Sequence, residues 1–432
     1  MLSIFNEFSA FLNTKKIEYC VVGPVDGLPG TDGDIDVVLQ RSAPYHDLIL
    51  DFCCASGVVP IQCLRHEVEA YYYVLWDPES GELAKLDLCS DYVRNGRFLL
   101  SRQEILTASK PVSIGGVSCF VPAPEAAFLY YFIKKIDKLK LTIEQTAYLS
   151  ALWWEAPDTI REELGRFWSE PMVNRITDAA GSGNWSWVHE NLVLLQRCLH
   201  QRAGRMSISN RIAEIGRVWG RLIRPTGLHV VFLGPDGCGK SSVIPLVTER
   251  VSSVFRLDAN FHLFPYHKRN IDQSDAPVSD PQGQAPRGII SSFLKLCLWF
   301  LRYTGGWVVN VYPAKIRSTM ISFDRYYHDL LVDPKRYRYS GPKWLAHLVG
   351  KWIPKPDLWI LLDAPADVLQ ARKQEVTPEE SQRQRRAYLN LMRAFPNAVV
   401  IDASQSLSNV VEDCNRAVLK HLGRRMKRRL GG

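Results

Sequence analysis

Leu228-His229-Val230-Val231-Phe232-Leu233 runs straight into Gly234-Pro235-Asp236-Gly237-Cys238-Gly239-Lys240-Ser241, and the reading of this junction decides the fold of the C-terminal half. An apolar run of strand length, a G-x-x-x-x-G-K-[ST] loop and a helix-competent segment form the sequence pattern of a phosphate-binding P-loop. Glycines at 234, 237 and 239 let backbone N–H groups turn onto phosphate oxygens with no Cβ in the way, and the N-terminus of the following helix adds a positive dipole end. In such a loop Lys240 meets the β and γ phosphates of a nucleotide and Ser241 ligates Mg²⁺. Asp236, Cys238 and Ser242 complete the stretch that wraps the nucleotide. Cys238, close to the helix start, is expected to favour its thiolate or simply to fill the loop.

Working outward, the 432 residues are 46% hydrophobic, enough for two or three buried cores. The N-terminus Met1-Leu2-Ser3-Ile4-Phe5-Asn6-Glu7 runs into an amphipathic helix pattern rather than a signal peptide. Ten cysteines with no C-x-x-C pair, several in apolar runs such as Cys20 and Cys297, read as reduced core thiols of a cytoplasmic protein. The net charge of +8 gathers at the end of the chain, where Lys420, Arg424, Arg425, Lys427, Arg428 and Arg429 follow Arg416 with no acidic residue between them. That tail suits an anionic membrane surface, while a nucleic-acid partner is not expected. Ile289 to Tyr312, the most apolar long segment, holds Lys295, Arg302 and Gly305-Gly306, so a buried helix fits it better than a membrane span.

Three regions follow from the periodicity. Residues 1–122 carry short apolar runs at Tyr19–Val22, Ile35–Leu39, Tyr71–Trp76 and Leu83–Leu88, the pattern of a small α/β domain. Residues 123–225 show helical spacing, with Trp153, Trp154, Trp168, Trp185 and Trp187 expected in its core, and end in basic hinges at 201–205 and 221–227. Residues 226–425 form the P-loop domain, an α/β fold with a parallel sheet, and 426–432 the basic tail. Asn270 to Arg287, rich in Asp, Pro, Gln and Ser, reads as a loop.

Within residues 226–425 the chemistry accumulates in order. Met320-Ile321-Ser322-Phe323 leads to Asp324-Arg325-Tyr326, and Pro356-Asp357 to the strand Leu358–Leu362 with Asp363-Ala364-Pro365 at its exit. Arg372, then Arg383, Arg385 and Arg386, form a basic stretch, and Val399-Val400-Ile401-Asp402-Ala403-Ser404 is a last strand. This series resembles the thymidylate kinase family of nucleoside monophosphate kinases. The resemblance implies that Lys240 and Ser241 bind ATP and Mg²⁺, that Asp324 places metal or acceptor, that Arg325 grips the acceptor phosphate, and that lid arginines Arg372, Arg383 and Arg386 close on the transferring phosphoryl. One such arginine can be worth about 10³ to 10⁵ in rate. The stretch from Phe261 to Arg269, then Tyr327-His328-Asp329 and the cluster Asp333-Pro334-Lys335-Arg336-Tyr337-Arg338-Tyr339 depart from thymidylate kinases on the acceptor side. They point to an acceptor that is a nucleotide, a phosphosugar or a glycan end.

At the other end of the chain, Gly33-Asp34-Ile35-Asp36 sets two carboxylates at i and i+2, on one face of a strand, and Asp87 lies on another apolar run. Three carboxylates around two Mg²⁺ would clamp the attacking and leaving oxygens of a nucleotidyl transfer. With Gly23 upstream and Val121-Pro122-Ala123-Pro124-Glu125 opening a helix downstream, residues 17–135 resemble the nucleotidyltransferase superfamily. Where that family has Gly-Ser or Gly-Gly this chain has Gly23-Pro24, and Pro24 has no N–H to offer a phosphate. Beside the kinase reading stand a P-loop switch without an acceptor, an N-terminal nucleotidyltransferase, and a nucleotide-binding scaffold at a membrane.

Overall fold

The computed structural model describes residues 2–24, 33–94, 96–114, 117–202, 208–266, 288–373 and 376–431. The expected loop at 270–287 and the basic residues His267, Lys268 and Arg269 lie outside them. The chain divides into two compact units, Met1–Gly220 with Gly423–Gly432, and Arg221–Leu422.

In the first unit five strands form one mixed sheet: β1 (Tyr19–Val21), β2 (Ile35–Leu39), β3 (Val59–Arg65), β4 (Ala70–Trp76) and β5 (Leu83–Cys89), in the order β1-β2-β5-β4-β3. Only β2 and β5 run parallel, and their register sets Asp36 opposite Asp87. Two hairpins follow, β6 (Tyr92–Arg94) with β7 (Arg97–Leu100) and β8 (Lys110–Ile114) with β9 (Val117–Val121). Alternation of apolar residues buries one face of β2, β4 and β5 against Phe8, Tyr45 and Phe52.

From Pro124 the same unit turns helical, with helices at Pro124–Asp137, Ile143–Glu155, Pro157–Gly165, Glu170–Ser182 and Leu192–Arg202. Phe128, Phe132, Trp168 and Trp185 are buried in their shared core, and Trp153 and Trp187 pack on its edge. Trp154 departs from the expectation. It is 69% exposed, because its neighbour Trp153 takes the inward position and a helix turns adjacent residues to different faces. The helix Ile208–Ile223 extends into the stretch expected as the second hinge.

The second unit is built on β10 (Leu228–Leu233), β11 (Leu257–His262), β12 (Thr319–Asp324), β13 (Leu358–Asp363) and β14 (Ala398–Asp402). All pairs are parallel and the order is β11-β12-β10-β13-β14. This is a five-stranded parallel sheet compatible with a P-loop NTPase fold. Every residue of β10 is buried, as expected of a central strand covered on both faces. From β10 the chain builds β11 and β12 on one side and then crosses from β12 to β13 and β14 on the other, so the crevice at the carboxyl end of β10 is the switch point where open α/β sheets bind ligands.

Two features, one apolar and one basic, differ from their sequence reading. The helix Ile289–Gly306 buries only the stripe Ser292, Leu296, Trp299, Tyr303 and Gly306, and its other face, Cys297 included, is exposed. Overall apolarity suggested burial, but the spacing of the buried residues is that of a one-sided helix. The C-terminal basic run is likewise not a free tail. The helix Leu407–Leu430 carries it, with Arg425 and Met426 buried and Arg424, Lys427 and Arg428 exposed. No helix among the described residues is long and apolar enough to cross a membrane.

Candidate functional site

The phosphate loop leaves β10 at Gly234, whose φ of +149° is open to glycine. A Cβ there would stand 2.5 Å from the Leu362 carbonyl oxygen on β13, so the loop passes too close to the sheet for any side chain. Gly237, at φ +85°, has the same constraint from the Leu369 carbonyl oxygen at 2.9 Å. Lys240 opens the helix Lys240–Val251, and its Nζ donates to the carbonyl oxygens of Gly234 at 2.7 Å and Pro235 at 3.0 Å. The ammonium thus sits inside the curl of the loop, where phosphate oxygens can replace the two carbonyls. Cys238 is buried with its Sγ 3.4 Å from that ammonium, in keeping with a filler of the loop. Ser241 and Ser242 follow Lys240 on the first turn of the helix, both exposed.

Parallel register carries the ends of the other strands to the same edge. Phe232 pairs with Asp324, Asp324 with His262, and Asp363 with Asp402. His262 Nε2 lies 4.0 Å from Asp324 Oδ2, while Asp324 Oδ1 is buried with no hydrogen-bond partner among the described residues. A buried carboxylate oxygen without a donor, at a P-loop edge, is suited to a cation. The orphaned Asp324 oxygen therefore fits a Mg²⁺ ligand.

Arg325 follows at φ +72°, in the left-handed region that non-glycine residues rarely adopt. Its N–H donates to the Phe232 carbonyl oxygen at 3.1 Å, which helps to pin this turn to β10. The guanidinium bridges two carboxylates, Asp236 in the phosphate loop and Asp329 at 2.7 Å. Arg336 joins Asp236 from the other side. Asp329 has no exposed surface and also accepts from the hydroxyls of Tyr337, at 2.7 Å, and Tyr388. Burial alone would raise its carboxyl, but the Arg325 charge and the two hydroxyls more than offset this and hold it below the usual carboxylate range.

The three lid arginines do not converge. Arg372 donates to the Ala403 carbonyl oxygen at 2.8 Å, Arg383 is paired with Glu380 on its own helix and reaches the Val332 carbonyl oxygen at 3.1 Å, and Arg386 is exposed. Arg385 in the same stretch donates from Nε and Nη2 to Asp363 at 2.8 and 2.9 Å, as Arg383 forks onto Glu380. Asp329 stands in the acceptor-side run Tyr327-His328-Asp329 legible in the sequence. Arg336 and Tyr337 stood in a recognisable basic-aromatic cluster, whereas nothing local marks Tyr388, 59 residues from its carboxylate.

In the first unit Asp34, Asp36 and Asp87 come together at the β2–β5 pair. Tyr72 OH donates to Asp34 at 3.0 Å, His66 Nδ1 lies 4.0 Å from Asp87, and Lys134 Nζ donates to Asp36 at 2.6 Å. Burial and the neighbouring Asp36 push the Asp87 carboxyl up to about 7. Lys134, on the helix Pro124–Asp137, was not foreseen; it stands 98 residues from Asp36. As arranged, the ammonium takes the place beside Asp36 that a metal would need. Among the described residues no group of three or more His, Cys, Asp or Glu is disposed to hold a metal ion.

No family model matches the chain. Thymidylate kinases are among the proteins it resembles. "Thymidylate kinase" of Limosilactobacillus fermentum is 27% identical over 207 residues, covering 45% of this chain and 95% of that protein. "Probable thymidylate kinase 1" of Saccharolobus solfataricus is 26% identical over 203 residues, 44% of this chain and 95% of that protein. "Thymidylate kinase" of Chlamydia caviae is 23% identical over 202 residues, 42% of this chain and 91% of that protein. With the parallel sheet and its glycine-shaped loop, these relatives support a nucleotide-kinase-like domain in rather less than half of the chain.

Proposed function

We propose that the unit Arg221–Leu422 transfers the γ-phosphoryl group of ATP to a phosphorylated acceptor, a nucleotide, a phosphosugar or a glycan end. The observation that carries this reading is the meeting of Arg325 and Arg336 on Asp236, inside the loop that would hold ATP. Two guanidiniums beside a phosphate loop suit an acceptor phosphate, which can share them with the Asp236 carboxylate. An acceptor oxygen then forms a bond to Pγ while the bond from Pγ to the β–γ bridging oxygen breaks, and ADP leaves with that oxygen. Lys240 neutralises charge on the β and γ phosphates, and Arg325 and Arg336 orient the acceptor. Mg²⁺ held by Ser241 and Asp324 would supply further charge neutralisation at the same phosphates. Ten unpaired cysteines support a reducing compartment such as the cytoplasm.

The test is ADP release from Mg-ATP across a panel of nucleoside monophosphates and phosphosugars. At least one should stimulate release, and Arg336→Ala should raise its KM with little change in the affinity for ATP. Release that no acceptor stimulates would favour a P-loop switch instead. A second reading, favoured by the joining of Asp34, Asp36 and Asp87, makes the first unit a nucleotidyltransferase-like domain. Lys134 on Asp36 and Pro24 after Gly23 both weigh against metal-dependent transfer there and favour a binding module.

A further inference from the structure

The outer face of the helix Ile289–Gly306 is apolar and left uncovered by the described residues. Ile290, Phe293, Leu294, Leu298 and Leu301 are between 51% and 79% exposed, and Val308 and Val309 continue the strip at 62% and 67%. Beside it the helix Lys343–Trp352 adds Trp344 and Trp352, 67% and 72% exposed, and the groove between the helices is walled by apolar side chains including Phe293, Leu345 and Leu348. Monomeric soluble proteins rarely show contiguous apolar surface on this scale without a use for it.

Charge decides what the face meets. The sequence has no Asp or Glu from Ile289 to Phe323 or from Pro334 to Pro356, while Arg302, Lys343, Lys351 and Lys355 are exposed. A second copy placed on this face by a two-fold axis would set like charges against like, with no carboxylate from these segments to relieve them. An apolar strip flanked by cations, with tryptophans at the second and last positions of a short helix, has the composition of a helix lying in a lipid interface. The opposite stripe, Leu296, Trp299 and Tyr303, is buried in the core of the unit, so the helix is anchored with its apolar face outward before any lipid is met.

We propose that this face seats the protein on an anionic phospholipid surface, with the two tryptophans and the aliphatic strip in the headgroup boundary and the lysines on lipid phosphates. The site is distinct from the basic C-terminal helix and does not depend on the kinase reading. The test is flotation of the full chain with phosphatidylcholine vesicles with and without phosphatidylglycerol. Wild type should float with the anionic vesicles and weakly with the neutral ones. Trp344→Ser with Trp352→Ser should weaken this by more than about tenfold, since each buried aromatic is worth at least that factor. Lys343→Glu with Lys351→Glu should abolish the preference for anionic lipid. Both pairs lie on exposed positions, and unchanged circular dichroism and melting temperature would verify folding. Absence of flotation, or flotation that neither pair alters, overturns the proposal. So does a wild-type dimer in sedimentation velocity that the tryptophan pair converts to monomer.

Discussion

Arg325 carries two duties that a single substitution will expose together. Its guanidinium bonds Asp236, in the phosphate loop, and Asp329, which has no exposed surface. Arg325→Ala leaves a buried carboxylate with only tyrosine hydroxyls, so chemical denaturation should show a loss of about 3 kcal/mol. Arg325→Lys keeps a charge near Asp329 but cannot fork between two carboxylates. It should restore much of the stability while acceptor-dependent turnover stays low. If both variants are equally stable and equally impaired, the Asp329 bond is not structural. Lys134 shows why such partners escape a reading of the sequence. Its bond to Asp36 spans 98 residues, and a lysine within a helix looks like any solvated charge until the fold closes over it.

At the scale of elements, the stretch from β10 through its loop into the next helix was legible because its determinants are contiguous: an unbroken apolar strand, glycines at fixed offsets, and a lysine at the helix start. Gly234→Ala should therefore abolish nucleotide binding measured by calorimetry, its Cβ meeting the Leu362 carbonyl oxygen. Normal affinity in the alanine variant would mean that the loop can move off β13. The strands β12, β13 and β14 were legible for the same reason. β3 was not, since Gln62 and Arg65 interrupt its apolar character. The helix Ile289–Gly306 was misjudged because apolar content says how much surface is greasy and only periodicity says which face is covered. The lid arginines are implied by the family resemblance, yet pairing within a helix, as Arg383 with Glu380, competes with convergence on a site.

For the whole molecule, each unit has its own core, and Asp87 in the first responds to pH oppositely to His229 and His328 in the second. In the second unit burial lowers His229 and His328 to about 3. Unfolded histidine takes up a proton below about 6.5 while the folded side chains stay neutral, so this unit loses stability as pH falls from there toward 3, by about 1.4 kcal/mol per pH unit for each histidine. In the first unit Asp87, raised to about 7, keeps its proton when folded but gives it up when unfolded. That contribution is full below about 3.9, the unfolded value, and is lost as pH rises through 7. Calorimetric unfolding between pH 4 and 7 should resolve two transitions that shift in opposite directions. Asp87→Asn should flatten one and His229→Gln the other; parallel shifts would remove these assignments.

The account rests above all on phosphoryl transfer at the loop Gly234–Ser241. The most direct measurement follows label from γ-³²P-ATP in the presence of Mg²⁺ and candidate phosphorylated acceptors, for wild type and Lys240→Ala. Label should appear on one class of acceptor with wild type and fall by at least about a hundredfold in the variant, whose lost ammonium no longer neutralises the transferring phosphoryl. Transfer that persists undiminished in a folded Lys240→Ala protein would contradict it.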